Sequence, residues 1–229
     1  MKLALLVCDH VAKPFDEVHG TYPIMFDRLL GMPANAYFVC DNQFPEIKDY
    51  DGFVVTGSKR SVYEKEEWIS ELIRLTREVA ETNKKYVGLC FGHQVIGEAL
   101  GGKVTKSNEG YLIGVHEHSI TKPAPWMDPV SNDFNILMLC QDQISLLPEK
   151  TVVHASSPRC PHGMISIDNR ILGIQGHPEF TREYNQDVFQ SRIERIGRER
   201  VEEAIISMQK EVHTTLLSQW IKNFLNFTQ

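Results

Sequence analysis

At 229 residues, with 42% hydrophobic and 24% charged side chains, the chain fits one large globular domain better than two small ones. Its formal net charge of −6 argues against nucleic acids and anionic membranes as partners, because both require clustered positive charge. Its five cysteines are odd in number and scattered, which is not a disulfide framework. We therefore expect a protein of the reducing cytoplasm.

The chain begins with a short apolar run at Leu3–Val7, typical of a strand buried on both faces of a parallel sheet. The run is too short for the apolar segment of a secretion signal, and Asp9 and His10 follow it closely. No stretch approaches the roughly 20 apolar residues of a membrane span. The sequence therefore predicts no membrane association.

Strands alternate with helices through the first hundred residues. The clearest helix is Lys65–Thr82, where Trp68, Leu72 and Val79 lie on one apolar stripe. Such alternation predicts right-handed strand–helix–strand units and a doubly wound, mostly parallel sheet in an α/β fold. The other elements predicted here are a helix at Tyr22–Leu30, strands at Ala36–Val39, Phe53–Val55 and Tyr86–Leu89, and a helix after Cys90 that extends through Leu100.

The second half contains short strands separated by turn residues, and we expect them to be antiparallel additions to the sheet. Helices are predicted at Thr181–Ile196 and Val201–Phe227, and the apolar stripe of the second favours packing against the domain over partner binding. We expect one domain over residues 1–229, with a catalytic core at about 3–189 and a helical tail at about 190–229. The predicted strands are Val104–Lys106, Gly114–Thr121, Asn135–Leu139, Thr151–Ala155, Met164–Ile167 and Ile171–Ile174.

One cysteine, Cys90, lies between a predicted strand and a predicted helix, with Gly88 and Gly92 on either side. This is the cysteine version of the nucleophile elbow, a sharp turn in which glycines let the strand and helix approach. The turn projects the sulfur above the carboxyl edge of the sheet, beside the positive end of a helix. The glycine pattern favours a nucleophile over a buried core cysteine, whereas the other four cysteines are interpreted as structural.

A thiol nucleophile needs a base that also protonates the leaving amine, usually a histidine. His177 follows a buried strand and Gly176, so it is expected at the same sheet edge as Cys90. Glu179, two residues further on, can accept the other ring N–H and fix the tautomer. His-Pro-Glu alone is a weak signal, but together with the Cys90 elbow it favours a catalytic triad.

The remaining histidines do not indicate a metal site. His116 and His118 alternate on a predicted strand, where we expect them at the surface, and their spacing is not that of a zinc-binding helix. Cys160 and His162 lack recognisable partners for a metal. Gly97–Lys103 approaches a phosphate-binding loop, but it lies within and after a helix, and Val104 replaces the required serine or threonine. We therefore predict neither metal nor cofactor.

The two motifs together resemble the signatures of the class I (triad) glutamine amidotransferases, over roughly Leu3 to Phe189. Residues 88–94 read Gly-Leu-Cys-Phe-Gly-His-Gln and residues 176–179 read Gly-His-Pro-Glu. Within this family the chain looks most like stand-alone γ-glutamyl peptidases and the glutaminase domains of GMP synthetases. Further matching stretches are Gln43-Phe44-Pro45, Leu147-Pro148-Glu149 and Ala155-Ser156-Ser157. The resemblance implies a flavodoxin-like, doubly wound fold.

The resemblance also implies the roles of the site residues. Cys90 is the nucleophile that forms a γ-glutamyl thioester, His177 is the general acid and base, and Glu179 orients His177. The oxyanion is implied to be held by the backbone N–H of Phe91 and by the loop at Gly57 and Ser58. Gln94 is implied to help hold the glutamyl group.

Two positions depart from the family pattern. The loop at Ser58 and Lys59 lacks the second glycine or the proline that relatives commonly have there. Cys140 stands where relatives carry histidine. Since the family places both positions at the glutamyl pocket or its rim, substrate preference is the property they are expected to change. We hypothesise that they widen the pocket for a leaving group larger than ammonia.

Three functions remain open from the sequence. The first is a free-standing γ-glutamyl peptidase or hydrolase, favoured because no synthetase domain or Ser-Gly-Gly pyrophosphatase loop is recognised. The second is a glutaminase subunit that supplies ammonia to a separate synthetase partner. The third is a non-catalytic regulatory or scaffold protein, which the intact triad argues against. In the first two, the ligand is a small γ-glutamyl compound.

Overall fold

The computed structural model describes residues 1–226. The strands are β1 (Leu3–Val7), β2 (Ala34–Phe38), β3 (Gly52–Val55), β4 (Lys85–Leu89), β5 (Lys103–Lys106), β6 (Leu112–Ile120), β7 (Asp133–Cys140), β8 (Asp142–Leu146), β9 (Val152–Ser157), β10 (Cys160–Ile167) and β11 (Ile171–Ile174). The helices are α1 (Phe15–His19), α2 (Tyr22–Leu30), α3 (Glu67–Ala80), α4 (Phe91–Ala99), α5 (Arg182–Ser191), α6 (Ile193–Ile196), α7 (Arg198–Ser207) and α8 (Thr214–Asn226).

A nine-stranded sheet forms the centre of the fold, in the order β2-β1-β3-β4-β11-β10-β9-β6-β7. In this order, neighbouring strands from β2 to β11 pair in parallel, and neighbouring strands from β11 to β7 pair antiparallel. Helices cover both faces, as a doubly wound sheet requires. Successive residues of β1 point to opposite faces: Leu5 packs with α2 and α8, and Leu6 packs with α3. The predicted fold class is therefore correct.

The structure corrects two strand predictions. The strand β11 was expected as an antiparallel addition, but it pairs in parallel with β4. A tight turn explains this, because Asp168 and Asn169, both at positive φ, reverse the chain after β10 and return β11 to the centre. The strand β5 lies outside the main sheet, where it pairs with β8, a strand that the sequence did not predict.

The helices near the C-terminus are shorter than predicted. The expected helix Thr181–Ile196 is divided into α5 and α6, and the expected helix Val201–Phe227 is divided into α7 and α8. Its predicted end, Phe227, lies outside the described residues. Helix α1 was not predicted, since its five residues are too few to show a periodic pattern.

The last helix packs against the domain, as its apolar stripe predicted. Trp220 is fully buried, meets Phe134 edge to face, and donates its indole N–H to the carbonyl of Pro129 at 2.9 Å. Phe224 packs edge to face on Trp126. Burial of each such side chain contributes about 1.5–3 kcal/mol, so α8 completes the core on this face of the sheet. Within residues 1–226, no helix is long and apolar enough to cross a membrane.

Candidate active site

Three loops meet where the parallel strands β3, β4 and β11 end. Gly57 follows β3, Cys90 follows β4, and His177 follows β11. Because neighbouring parallel strands end at the same side of a sheet, their exit loops converge there. We call these three residues the carboxyl edge. The predicted nucleophile and base thus lie on adjacent strands.

The turn at Cys90 is a strained elbow. Cys90 has φ 51° and ψ −99°, in the left-handed region that side chains rarely adopt. A Cβ atom on Gly88 would lie 2.3 Å from the carbonyl oxygen of Gly92, and one on Gly92 would lie 2.6 Å from that of Val55. The backbone N–H of Cys90 donates to Ile174 at 2.8 Å. Both glycines are therefore required by contact, as the sequence predicted.

His177 and Glu179 form a buried pair. The ring Nδ1 lies 2.7 Å from Oε1 of Glu179, and the two side chains are 4% and 0% exposed. The imidazole stacks on Phe180 with ring centroids 4.1 Å apart and an interplanar angle of 6°. The backbone N–H of His177 also donates to Leu137 at 2.8 Å. Ring position and tautomer are thus both fixed, with Nδ1–H donating to the carboxylate.

The electrostatics of His177 favour a positive charge. Burial alone would lower the pKa of the ring, but the negative charges at Cys90 and Glu179 outweigh it and raise the pKa to about 10. Nε2 has no hydrogen-bond partner within residues 1–226, so it is available for a substrate atom or the sulfur. By contrast, burial lowers the pKa of His93 to about 3 and that of His118 to about 4.

Gly57 lies between the cysteine and the histidine. A Cβ atom at this position would be 2.8 Å from Cε1 of His177 and 3.7 Å from the Cβ of Cys90. Position 57 therefore has no room for a side chain. The N–H of Gly92 donates to Thr56 at 3.2 Å, whereas the N–H of Phe91 finds no acceptor in the described chain. This leaves Phe91 with an unused donor beside the sulfur, as expected for an oxyanion site.

An open cleft lies in front of Cys90. Ser58 and Gln94 both line it, as predicted. Gln94 is buried, and its side-chain amide donates to the carbonyl of Asp142 at 2.8 Å. This bond holds the side chain against the cleft wall, with its amide oxygen available to a ligand. The seven predicted site residues are thus gathered in one region.

The chain is similar to known proteins in both sequence and fold. Residues 34–194 match the family described as glutamine amidotransferase class-I. The chain belongs to this family. Gamma-glutamyl peptidase 4 of Arabidopsis thaliana is 34% identical over 191 residues, which are 79% of this chain and 74% of the relative. A GMP synthase [glutamine-hydrolyzing] of Caldanaerobacter subterraneus is 32% identical over 137 residues, which are 58% of this chain but only 26% of that protein.

The fold is similar to that of a crystallised glutamine amidotransferase from Thermotoga maritima. The TM-score is 0.80 over 99% of this chain and 100% of that one, at 14% identity. The predicted family and fold are confirmed. So is the prediction of an enzyme: the chain is a hydrolase of the glutamine amidotransferase type.

Some residues of this amidotransferase site were not singled out from the sequence. The side-chain amide of Gln175 donates to Sγ of Cys90 at 3.7 Å, and the carbonyl of Leu139 lies 3.9 Å from the same sulfur. Gln175 directly precedes Gly176 at the end of a predicted strand. Its place beside the Gly-His-Pro-Glu motif was the sequence signal that could have identified it as a site residue. Arg192 also lines the cleft, but only the folding of α5 and α6 brings it there.

Other predictions concern cysteines and histidines outside the triad. Cys140, interpreted as structural, lines the cleft with Cys90, so that interpretation is incomplete. His118 was expected at the surface, but it is 1% exposed and stacks on Phe134 with ring centroids 5.4 Å apart. The surface prediction failed because the ring of His118 packs against Phe134 of β7 and Gly163 of β10.

Three potential metal ligands gather outside the cleft. Donor atoms of His10, Cys40 and Asp41 lie within 4.8 Å of one another on the surface. The ring Nε2 of His10 lies 2.9 Å from a carboxylate oxygen of Asp41, and the ring stacks on Phe38. This hydrogen bond and the stacking account for the arrangement without a metal. The absence of a metal from the catalytic site stays a prediction.

Proposed function

We propose that this chain is a cysteine-dependent γ-glutamyl peptidase, which hydrolyses the γ-glutamyl amide bond of a small peptide. The observation that carries the proposal is the constellation of Cys90 on a strained elbow opposite the buried His177–Glu179 pair. A scaffold protein would not need the nucleophile, the base and the orienting carboxylate together. The similarity to a γ-glutamyl peptidase over 74% of that relative's length supports the same substrate class.

The first half of the proposed reaction is acyl transfer to sulfur. The thiolate of Cys90 attacks the γ-carbonyl carbon, and the carbonyl electrons move to the oxygen. The N–H groups of Phe91 and of the loop at Gly57 and Ser58 stabilise this oxyanion, each by roughly 3 kcal/mol. The tetrahedral intermediate then collapses, and His177 gives its proton to the departing nitrogen. The products are a γ-glutamyl thioester and a free amine.

The second half is hydrolysis of the thioester. His177, now neutral, takes a proton from water as the water attacks the thioester carbonyl. Collapse of this intermediate expels the Cys90 thiolate and releases glutamate. Glu179 does not exchange a proton in this scheme; its carboxylate holds Nδ1–H, so that Nε2 faces the reacting atoms. Overall, one water molecule is consumed for each amide bond that is broken.

A second candidate is a glutaminase that supplies ammonia to a separate synthetase. The 32% identity to a GMP synthase [glutamine-hydrolyzing], over 26% of that protein, favours it, since that protein is named for the hydrolysis of glutamine. The chemistry at Cys90 would be the same, with ammonia as the leaving amine. The two candidates therefore differ in the leaving group and in the need for a partner.

Glutamate release by the purified chain distinguishes the candidates. We expect release from γ-glutamyl peptides with a kcat/KM at least about tenfold above that for glutamine, without any partner. The Cys90→Ala variant serves as the blank for each substrate. Weak turnover of glutamine alone would contradict the peptidase and would favour the glutaminase. No glutamate from either class of substrate would also contradict the peptidase, because only the glutaminase requires a partner for turnover.

A further inference from the structure

Positive charge is concentrated around the cleft of a chain whose net charge is −6. Five cationic side chains line the cleft in front of Cys90, whereas Asp142 is the acidic side chain among its lining residues. The carboxylate of Asp142 accepts a hydrogen bond from Tyr63 at 3.0 Å. We call the cations the cationic rim. They are Lys59, Arg60, Lys106, Arg192 and Arg195.

Most of the cationic rim is already engaged. Lys59 lies 2.9 Å from a carboxylate oxygen of Asp9, and Arg60 pairs with Glu64 and Glu66. The guanidinium of Arg195 lies 5.6 Å from the centre of the Tyr111 ring. Such pairs reduce the charge that these side chains can offer to a ligand.

Arg192 differs from these neighbours. Its side chain has no ion pair, hydrogen bond or ring contact within residues 1–226, although it is half-buried. Lys106 is likewise unpaired, but it is exposed at the end of β5. A half-buried guanidinium without an acceptor is less hydrated than one in bulk water, so it gains more from an incoming carboxylate.

The position of Arg192 relates it to the leaving group. A second, smaller cavity adjoins His177 and is lined by Asp9, Tyr22 and Tyr184. Arg192 lines both this cavity and the cleft in front of Cys90. In the proposed reaction the departing nitrogen receives its proton from His177. The leaving group therefore lies on the histidine side, where Arg192 is found.

Among the described residues that line the second cavity, Arg192 is the cation without a compensating carboxylate. Asp9 is the acidic side chain in its lining, and its carboxylate also accepts the backbone N–H of Lys59 at 3.0 Å and that of His10 at 2.8 Å. The ion pair with Lys59 compensates the charge of Asp9. The carboxylate of Glu179 likewise compensates His177. Within residues 1–226 the cavity therefore presents one uncompensated positive charge, with hydroxyl groups from Tyr22 and Tyr184 beside it.

We propose that Arg192 is a specificity-determining residue that binds the free carboxylate of an amino acid or peptide leaving group. The proposal rests on the peptidase function above and narrows its substrate class to γ-glutamyl compounds with an anionic leaving group. An amino acid joined through its α-nitrogen carries a carboxylate a few bonds from the scissile amide. Ammonia carries none, so glutamine gains nothing from this contact.

The test compares γ-glutamylalanine with its C-terminal amide, which lacks the negative charge. We expect wild-type kcat/KM to favour the free acid by at least about tenfold. In Arg192→Gln the ratio of the two values should fall by about 10- to 100-fold, the range for a charge-assisted hydrogen bond. Arg192→Lys should give an intermediate ratio, because it keeps the charge without the fork of donors.

Arg198→Gln is the matched control. It removes the same charge from the start of α7, where Arg198 is exposed and outside both cavities. Its ratio should equal that of the wild type. A wild-type ratio near one, or an unchanged ratio in Arg192→Gln, would overturn the role of Arg192 while the peptidase function stands. Failure of the wild type to cleave either peptide would instead overturn the proposed function and this subsite with it.

A wild-type ratio near one overturns the assignment even if Arg192→Gln does not fold, because that measurement needs no variant. A second uncharged variant, Arg192→Met, covers that case: a large wild-type ratio that survives unchanged in folded Arg192→Met would point to another member of the cationic rim. That outcome would also overturn the assignment to Arg192.

Discussion

The carboxyl edge and the cationic rim differ in what holds their residues in place. At the edge, Cys90 is fixed by backbone contacts between a strand and a helix, and His177 by a buried carboxylate and a stacked ring. On the rim, long side chains from separate loops and helices project toward solvent. A small displacement at the edge disrupts bond formation, whereas the rim can change its charges without moving the nucleophile.

This difference separates reaction type from substrate choice. The edge contains the atoms that form and break bonds in the proposed mechanism, and its geometry leaves no space for substitution. The rim contains the charged side chains that a leaving group would contact. Changes at the edge should therefore remove activity on every substrate, and changes on the rim should alter the preference among substrates.

The largest effect is expected at the nucleophile. Cys90→Ser should lower kcat on every γ-glutamyl substrate by roughly four orders of magnitude or more, since the hydroxyl is a far weaker nucleophile. Cys40→Ser is the matched control, because Cys40 is half-buried outside the cleft. It should retain wild-type glutamate release. More than a tenth of wild-type activity in Cys90→Ser would remove Cys90 from the mechanism.

The next effect concerns the orientation and charge of His177. Glu179→Gln should lower kcat by about 10²- to 10³-fold, because the carboxylate that fixes the ring is lost. The pKa of His177 is raised to about 10, so the protonated form should persist through neutral pH and be lost above it. The alkaline limb of the wild-type kcat/KM profile should therefore lie near pH 10.

The pH of the alkaline limb tests the role of Glu179 more specifically than the loss of kcat does. Since Glu179 is one of the groups that raise the pKa of His177, Glu179→Gln should move the limb by about one unit toward neutral pH. The profile is measured as glutamate release between pH 5 and 11. A limb at the same pH in both enzymes would mean that another group titrates there.

Gly57→Ala tests the space between the two reacting side chains. Its Cβ atom would lie 2.8 Å from Cε1 of His177, so the ring must move, and kcat should fall by about 100-fold. The contact is with a side chain, so the melting temperature should change little. Gly88→Ala places its Cβ 2.3 Å from a backbone oxygen and should lower both activity and melting temperature. Equal stability losses in the two variants would contradict this distinction.

The smallest effect is expected from salt. Raising the ionic strength from about 0.05 to 0.5 M should lower kcat/KM for an anionic γ-glutamyl peptide by about two- to fivefold, because the cationic rim is screened. Alkylation of Cys90 by neutral iodoacetamide is the control, and its rate should change much less. Equal salt dependence of the two rates would mean that the rim does not act on substrate charge.

The sequence predicted the carboxyl edge well because local rules determine it. Gly88, Gly92 and the strand before Cys90 specify the elbow by backbone sterics alone. His177 was located by the same strand–loop pattern, together with a glutamate two residues away. The resemblance to a known family then supplied the roles that spacing could not assign.

The rim could not be predicted, because it depends on packing between distant segments. Arg192 reaches the cleft only because the chain breaks between α5 and α6, and no capping or glycine signal marks this break. The strand β8 was missed since its partner β5 lies outside the main sheet. His118 was assigned to the surface because alternation cannot show which faces of a strand are covered.

The most direct test of the mechanism is capture of the covalent intermediate. The purified chain is mixed with a γ-glutamyl peptide, quenched in acid within milliseconds, digested and examined by mass spectrometry. We predict one glutamyl group, attached through a thioester to Cys90 and absent from Cys90→Ala. Glutamate release without any adduct on Cys90, or an adduct on a different residue, would contradict the account.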